Sequence, residues 1–263
     1  MREADLRGKT ALVTGASSGL GAEFARRLAA LGCHVIVVAR REEALASLKQ
    51  ELEARHGVRV YPLPMDLAVA DAPQRLYEQV QAAGLQVDVL VNNAGFGLFS
   101  NFAEIPSESE RMMLELDIVT VVGLTKLFVH DMVSRRFGFV LNLGSTGSFQ
   151  PTPTYAAYSA AKSFVLSYSE AVAYELRGTG VKCAALCPGF TRTEFLQVAG
   201  QKPTAYMRLT TMEAADVARI GIRAMVRGRS SVVAGWFNAL QAGFVSWLPR
   251  SWAAALAHLA LTS

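Results

Sequence analysis

Short apolar runs alternate along the chain with longer segments whose apolar residues recur every three or four positions. Thr10–Thr14, Val35–Val38, Val58–Leu63, Asp88–Val91, Phe139–Leu143, Val181–Cys187 and Ser231–Ala234 read as strands. Val35–Val38 is apolar without interruption, the pattern of a parallel strand covered on both faces. Phe24, Leu28 and Leu31 share one side of a helix over Ala22–Leu31, which Gly32 stops, and Leu45, Leu48 and Leu52 do the same in Glu42–Arg55. Pro73–Ala83 and Tyr155–Leu176 read as helices. A long helix is expected from Ser107, where Ser107-Glu108-Ser109-Glu110 supplies a cap and early negative charge; it runs through Met113, Leu116 and Val121 towards Met132. Pro188-Gly189 breaks the chain and opens an irregular stretch, Phe190–Leu209. Thr210-x-x-Glu213 then reads as a capping box that starts a helix through Met225.

Strand and helix alternating over short connections predict an α/β architecture, a doubly wound, mostly parallel sheet of about seven strands with helices on both faces. No linker, repeat or low-complexity segment divides the sequence, so a single domain over residues 1–263 is expected, with its core at about 8–235 and an apolar tail at 236–263.

Composition narrows the function. Hydrophobic residues make up 51% and charged residues 18%, ample for a buried core and against disorder. The net charge is +4, from 26 basic and 22 acidic residues, but the basic residues are scattered. Arg26-Arg27, Arg40-Arg41 and Arg135-Arg136 are adjacent pairs, not the concentrated stripe a nucleic-acid face needs. Cys33, Cys183 and Cys187 all sit in apolar runs; the odd count and the lack of a CxxC spacing argue against a disulfide framework or a metal site. Buried free thiols in a reducing compartment are the simple expectation. The first residues carry no apolar signal core, and the longest apolar stretch, Val232–Leu248, is interrupted by Asn238, Gln241 and Ser246, so a soluble cytoplasmic protein is expected.

Gly15-Ala16-Ser17-Ser18-Gly19-Leu20-Gly21 lies between the first strand and the first helix. Glycines there allow a tight turn and close approach of a diphosphate, and the helix N-terminus offers free N–H groups. The spacing is G-x-x-x-G-x-G, not G-x-G-x-x-G, and an ordinary Gly-rich turn is the alternative. An acidic residue at the end of the second strand would hold a ribose 2′-hydroxyl. Arg40-Arg41 stands there instead, and guanidinium suits a 2′-phosphate, which points to NADP(H); the alternative is a solvated start to the next helix.

Tyr158 and Lys162 are four residues apart on a helix and so share a face, while Ser145 ends the strand before it. A phenol, an ammonium and a hydroxyl converging on one cleft can hold a carbonyl oxygen and move a proton to it. Tyrosine titrates near ~10; a nearby ammonium and an oxidised nicotinamide favour the phenolate, and lowering it by ~2–3 units takes roughly 3–4 kcal/mol. Tyr155 has Ser159 at i+4 and lacks such a charge. The structural alternative is a helix tyrosine packed on the sheet beside a surface lysine.

Taken together, Thr14-Gly15-x-x-x-Gly19-x-Gly21, Asn92-Asn93-Ala94-Gly95, Ser145 with Tyr158-x-x-x-Lys162, and Pro188-Gly189 followed by Thr191 and Thr193 resemble the short-chain dehydrogenase/reductase family in its compact form, over about residues 8–235. The resemblance implies a Rossmann fold and an oxidoreductase that transfers a hydride between NADP(H) and a carbonyl or secondary alcohol. It implies that Gly15, Ser17, Ser18, Gly19, Leu20 and Gly21 hold the pyrophosphate, that Asp66 and Leu67 contact the adenine, and that Asn92, Ala94 and Gly95 flank the adenosine ribose. Pro188, Gly189, Thr191 and Thr193 fall to the nicotinamide end, Lys162 to its ribose, Ser145 to the substrate oxygen and Tyr158 to acid–base catalysis. Residues 190–212 are expected to form a substrate flap, whose Phe195, Leu196, Val198, Tyr206 and Met207 favour an apolar substrate such as an acyl-chain ketone. A homodimer or homotetramer is also implied.

One departure stands out. Where the family usually has an Asn in the long helix, which helps hold a water chain from Lys162 to solvent, this chain has Asp117, which keeps an acceptor and loses the amide donor; the resemblance then makes Asp117 a fourth catalytic candidate through which the relay runs, or else the relay is reorganised. A non-catalytic NADP(H)-binding regulator or scaffold is the rival reading, and Asp117 is the residue in its favour. The tail from Trp236 has three readings: packing in the substrate pocket or a subunit interface, contact with a membrane surface, or a frayed end.

Overall fold

The computed structural model describes residues 3–262. Seven strands form one parallel sheet: β1 (Thr10–Thr14), β2 (His34–Ala39), β3 (Val60–Pro64), β4 (Val89–Asn92), β5 (Gly138–Leu143), β6 (Val181–Cys187) and β7 (Ser231–Val233), in the spatial order β3-β2-β1-β4-β5-β6-β7. The helices are α1 (Gly19–Ala30), α2 (Glu42–His56), α3 (Ala72–Ala82), α4 (Ser107–Leu114), α5 (Thr120–Ser134), α6 (Ala156–Glu175), α7 (Phe195–Ala199), α8 (Ala205–Thr210), α9 (Ala214–Arg227), α10 (Trp236–Val245) and α11 (Arg250–Thr262).

Because strand side chains alternate between faces, the sheet divides its apolar residues between two cores. Val13, Val35, Val37 and Leu141 pack with Phe24 and Leu28 of α1, Leu45 and Leu52 of α2, and Ile222 and Met225 of α9. Leu12, Ile36, Leu90 and Val140 pack with Leu76 of α3 and Leu124, Phe128 and Met132 of α5. Strand order runs outward in both directions from the β1–β4 pair, so the connections after β1 and after β4 leave on opposite faces. A crevice opens at the carboxyl ends of those two strands, the place where such sheets bind ligands.

Four expectations change. The long helix is interrupted: α4 and α5 are joined by a turn of π-helix over Glu115–Val119, with Asp117 buried at its centre. Ser107 is the first helical residue, behind Pro106, and no side chain caps that end, although Glu108 and Glu110 do lie in the first turn. The Thr210–Glu213 capping box does not form. Thr210 ends α8 and its hydroxyl donates to the Tyr206 carbonyl at 2.9 Å, while the Glu213 carboxylate is drawn to Arg192 at 2.8 Å. Phe190–Leu209 is not irregular throughout, since it contains α7 and α8. The tail is two helices, which removes the frayed-end alternative.

Candidate active site

The glycine loop is built by close backbone approach. Gly15 and Gly19 have positive φ, 67° and 54°. A Cβ on Gly21 would stand 2.1 Å from the Gly15 carbonyl oxygen, and one on Gly15 would stand 2.9 Å from Ala94 Cα. Neither position admits a side chain. Asn93 fixes the loop from below: its Nδ2 donates to the Thr14 carbonyl at 2.8 Å, and Thr14 Oγ1 accepts from the amides of Asn93 and Ala94, both at 2.9 Å. At the N-terminus of α1, Ser18 makes no side-chain cap, which leaves the first-turn amides facing the crevice. A glycine cradle under an uncapped helix end fits a diphosphate, so Gly15–Gly21 and the α1 amides are the groups that would hold a dinucleotide's pyrophosphate.

The crevice continues as a cleft of about 860 Å³. Ser17, Ser18, Leu20, Arg40, Arg41, Asp66, Leu67, Ala94, Gly95, Ser145, Tyr158, Lys162, Pro188, Gly189, Thr191 and Thr193 all line it. Asn92 does not. It ends β4 on the opposite side, buried, with Nδ2 donating to Thr125 Oγ1 at 3.0 Å and to Asn142 Oδ1 at 2.8 Å. The two arginines also part company. Arg40 is exposed, with no ion pair among the described residues. Arg41 is held by Ser17 Oγ at 3.2 Å and by Glu194 Oε2 at 3.1 Å. Hydrogen bonds from Ser18 and Arg41 hold the Glu194 carboxyl below the usual carboxylate range.

Ser145, Tyr158 and Lys162 are brought together by a short turn after β5. Ser145 caps that turn, its Oγ accepting from the Gly147 amide at 3.1 Å. Ser148 Oγ accepts from the Ser145 amide at 3.1 Å and donates to the Lys162 carbonyl at 2.8 Å, which couples the end of β5 to α6. Lys162 Nζ lies 5.6 Å from the centre of the Tyr158 ring. On its other side it meets Asp117 Oδ2 at 3.2 Å, in an ion pair almost wholly withdrawn from solvent. Neither Asp117 oxygen has a well-directed hydrogen bond. Gly95 makes room for the pair, because a Cβ there would stand 2.5 Å from Asp117 Oδ1 and 3.2 Å from Lys162 Nζ.

Before the charge of an oxidised nicotinamide is added, the protein's own groups raise the Tyr158 pKa. Burial is the larger cause and the negative field of Asp117 adds to it, while Ser145 works the other way. The Lys162 charge acts on the phenol on one side and on the Asp117 carboxylate on the other. Burial also raises the carboxyl of Asp117, against the pull of Lys162. Tyr155 is pushed up by burial too, and its hydroxyl is committed to Gln201 Oε1 at 2.8 Å.

The far wall is supplied by the flap and the tail. The Phe195 ring lies 5.4 Å from Tyr158, and the Tyr155 ring 5.6 Å from it. Leu196, Met207 and Leu261 join the same apolar cluster. Gln201, buried, spans the gap: besides accepting from Tyr155 it donates to the Leu261 carbonyl at 3.1 Å. Thr204 Oγ1 donates to the Ala260 carbonyl at 3.2 Å. At the other end, Asn238 of α10 sits against Gly189, where a Cβ would stand 2.6 Å from its Nδ2. The tail is therefore pocket wall.

The family model described as short chain dehydrogenase matches residues 9–204. The chain belongs to the short-chain dehydrogenase family. Within that family it is 32% identical to an oxidoreductase of Myxococcus xanthus over 94% of this chain and 95% of that one. It is 36% identical to a very-long-chain 3-oxoacyl-CoA reductase of Aspergillus clavatus over 66% of its length, and spans 51% of that relative. Among solved structures, a short-chain dehydrogenase from Sphingobium yanoikuyae in complex with NADPH superposes with a TM-score of 0.80 at 26% identity, covering 92% of this chain and 97% of that one. One from Burkholderia phymatum in complex with NAD gives 0.81 at 25% identity, covering 90% and 92%.

For a member of this family, the sequence reading missed four residues that shape the cleft. Asn93, and not its neighbour Asn92, fixes the glycine loop. Ser148 ties Ser145 to Lys162, and a Ser-x-x-Ser cap was the available signal. Gln201 and Glu194 act through partners distant in sequence, and nothing local marks them.

Proposed function

We propose that this short-chain dehydrogenase family member uses NADP(H) to interconvert a carbonyl and a secondary alcohol on an apolar, acyl-like substrate. The observation that carries the reading is that Ser145, Tyr158 and Lys162 line the same cleft as the glycine loop. A bound nicotinamide supplies or accepts the hydride. Ser145 hydrogen-bonds the substrate oxygen and sets it beside Tyr158. Tyr158 gives that oxygen its proton in reduction and takes it in oxidation. Its raised pKa keeps the phenol protonated in the range where reduction would run, so the protein is set as a proton donor. Lys162 and Asp117 stand behind Tyr158 as the groups through which its proton is restored.

NADP(H) is favoured by Arg40, exposed at the end of β2 where a carboxylate would select the 2′-hydroxyl. The acyl-like substrate is favoured by the aromatic and aliphatic wall of α7, α8 and α11 and by the likeness to 3-oxoacyl-CoA reductases. The test is NADPH oxidation by the purified protein over a panel of medium- and long-chain ketones, alongside Tyr158→Phe. Turnover by the wild type and its loss in the variant are expected. NADPH binding with no turnover of any carbonyl sinks the enzyme reading and favours the regulator. Arg40→Asp should weaken NADPH binding far more than NADH binding, and an equal effect removes the 2′-phosphate assignment.

A further inference from the structure

The two helices after β7 are mostly apolar, and the fold covers only one side of each. Ala242 and Val245 of α10 and Ala253, Ala257 and Leu261 of α11 face inward and are buried. The opposite stripe is bare. Trp236, Leu240 and Phe244 follow one another at helical spacing and continue to Trp247 just past the end of α10, while Trp252, Leu256 and Leu259 do so on α11. Trp247 is 90% exposed, Trp236 76% and Trp252 66%. Contiguous exposed apolar stripes on neighbouring helices mark an interaction surface.

The chemistry of the patch selects the partner. All 3 tryptophans of the chain are in this hairpin and all are exposed, and indole settles at the boundary between water and hydrocarbon. Charge is one-sided. Residues 195–212 and 236–262 contain no Asp or Glu, and the carboxylates that flank the first segment, Glu194 and Glu213, are paired with Arg41 and Arg192, while Lys202, Arg208 and Arg250 are exposed there. Lys202 and Arg208 belong to the segment that Gln201 and Thr204 bind to the end of α11, so these cations are carried by the element packed on that helix. Basic residues next to exposed indoles complement anionic lipid headgroups. No helix among the described residues is long and apolar enough to cross a membrane, so the contact is one that lies on a surface. Finally, Phe244, Leu256 and Leu261 of the same hairpin line the cleft, so whatever covers the hairpin also faces the cleft mouth.

We propose that the outer face of α10 and α11 docks on an anionic lipid bilayer, with the mouth of the cleft turned towards the lipid. Delivery of an apolar substrate from the bilayer rests on the oxidoreductase reading above; the docking does not.

The test is sedimentation of the full chain with vesicles of phosphatidylcholine and phosphatidylglycerol in equal parts, and with phosphatidylcholine alone, read together with tryptophan emission. Binding to the anionic vesicles, a blue shift, and quenching by brominated acyl chains are expected. Trp247→Ser combined with Trp252→Ser should reduce binding by about tenfold or more, and Lys202→Glu combined with Arg250→Glu should abolish the preference for anionic lipid. None of these four residues lines the cleft, so turnover of a short, water-soluble ketone should be unchanged in both variants. Wild-type protein that stays in the supernatant with unshifted emission overturns the proposal. So does a wild-type dimer that the double tryptophan variant converts to monomer, because the face then belongs to a second copy. Vesicle binding without turnover of any ketone supports docking while removing the oxidoreductase reading.

Discussion

Replacing Asp117 by Asn should move the titration of Tyr158 to lower pH. Lys162 Nζ is 5.6 Å from the Tyr158 ring centre, and at an effective dielectric constant of ~20 a unit charge at that distance favours the phenolate by about 3 kcal/mol. Asp117 opposes it. Its Oδ2 is 3.2 Å from Nζ, so it lies within about 9 Å of the ring, where the same dielectric gives at least about 2 kcal/mol against the phenolate. Asn keeps an oxygen acceptor and removes the charge. The phenol should therefore titrate at least about one pH unit lower in the variant. Alcohol oxidation needs the phenolate, so the rising limb of its kcat/KM profile should shift to lower pH by that amount. In the reduction direction, which needs the phenol, activity should fall earlier as pH rises. The assay is the pH dependence of both directions for wild type and Asp117→Asn, with circular dichroism to show that both are folded. A limb that does not move would mean that burial already keeps Asp117 protonated and its field absent. A limb that moves to higher pH would mean that Asp117 stabilises the phenolate, contrary to the geometry.

Three further outcomes follow from other contacts. Gly95→Ala puts a Cβ 2.5 Å from Asp117 Oδ1 and should cost about a hundredfold in kcat through displacement of the Asp117–Lys162 pair, with Tm little changed; retained activity would show that the pair's position is unimportant. Gln201→Leu strips the Tyr155 hydroxyl and the Leu261 carbonyl of their partner, at about 1–3 kcal/mol for each buried group left unpaired, and should appear as a lower Tm and earlier proteolysis in α11. Burial pushes the thiols of Cys33, Cys183 and Cys187 up to about 12, so a thiol-specific disulfide reagent should leave all three untouched at neutral pH until the protein is unfolded.

What the sequence made legible was local or strictly periodic. The glycine loop is contiguous, and Tyr158 and Lys162 are one helical turn apart, so spacing alone placed them in a common cleft. The parallel sheet with helices on both faces followed from uninterrupted apolar runs such as Val35–Val38, but the order of its strands did not. Asn92 and Asn93 show where local reading stops. Adjacent residues at the end of a strand point to opposite faces, and only the finished sheet shows that Asn92 meets Thr125 behind the cleft while Asn93 meets Thr14 within it. The helices of the flap have 5 and 6 residues, too few to display a period. Asp117 was visible as a substitution, but its effect on Tyr158 depends on complete burial and on the π turn that surrounds it, and neither is written in the residue type.

The flap is held at its two ends by interactions of unequal strength, and this decides which end can move. At the cofactor side the side-chain ties of Glu194 are to Ser18 and to Arg41, the latter pair about half exposed, at 52% and 53%, while the chain before it pairs by backbone with Met212. An exposed ion pair of this kind contributes about 0–1 kcal/mol and weakens with salt. At the tail side, Gln201 is buried with both ends of its amide satisfied, and Met207 packs fully buried beside Leu261. Opening there would expose apolar surface and leave the Tyr155 hydroxyl unpaired, each at a larger cost than the surface pair. The flap should thus swing from α8 and α11 as its fixed side, with Phe195 and Glu194 at the moving edge. Because Phe195 packs on Tyr158 and Glu194 holds Arg41, that one edge governs both access to Tyr158, the proton donor proposed above, and the freedom of Arg41.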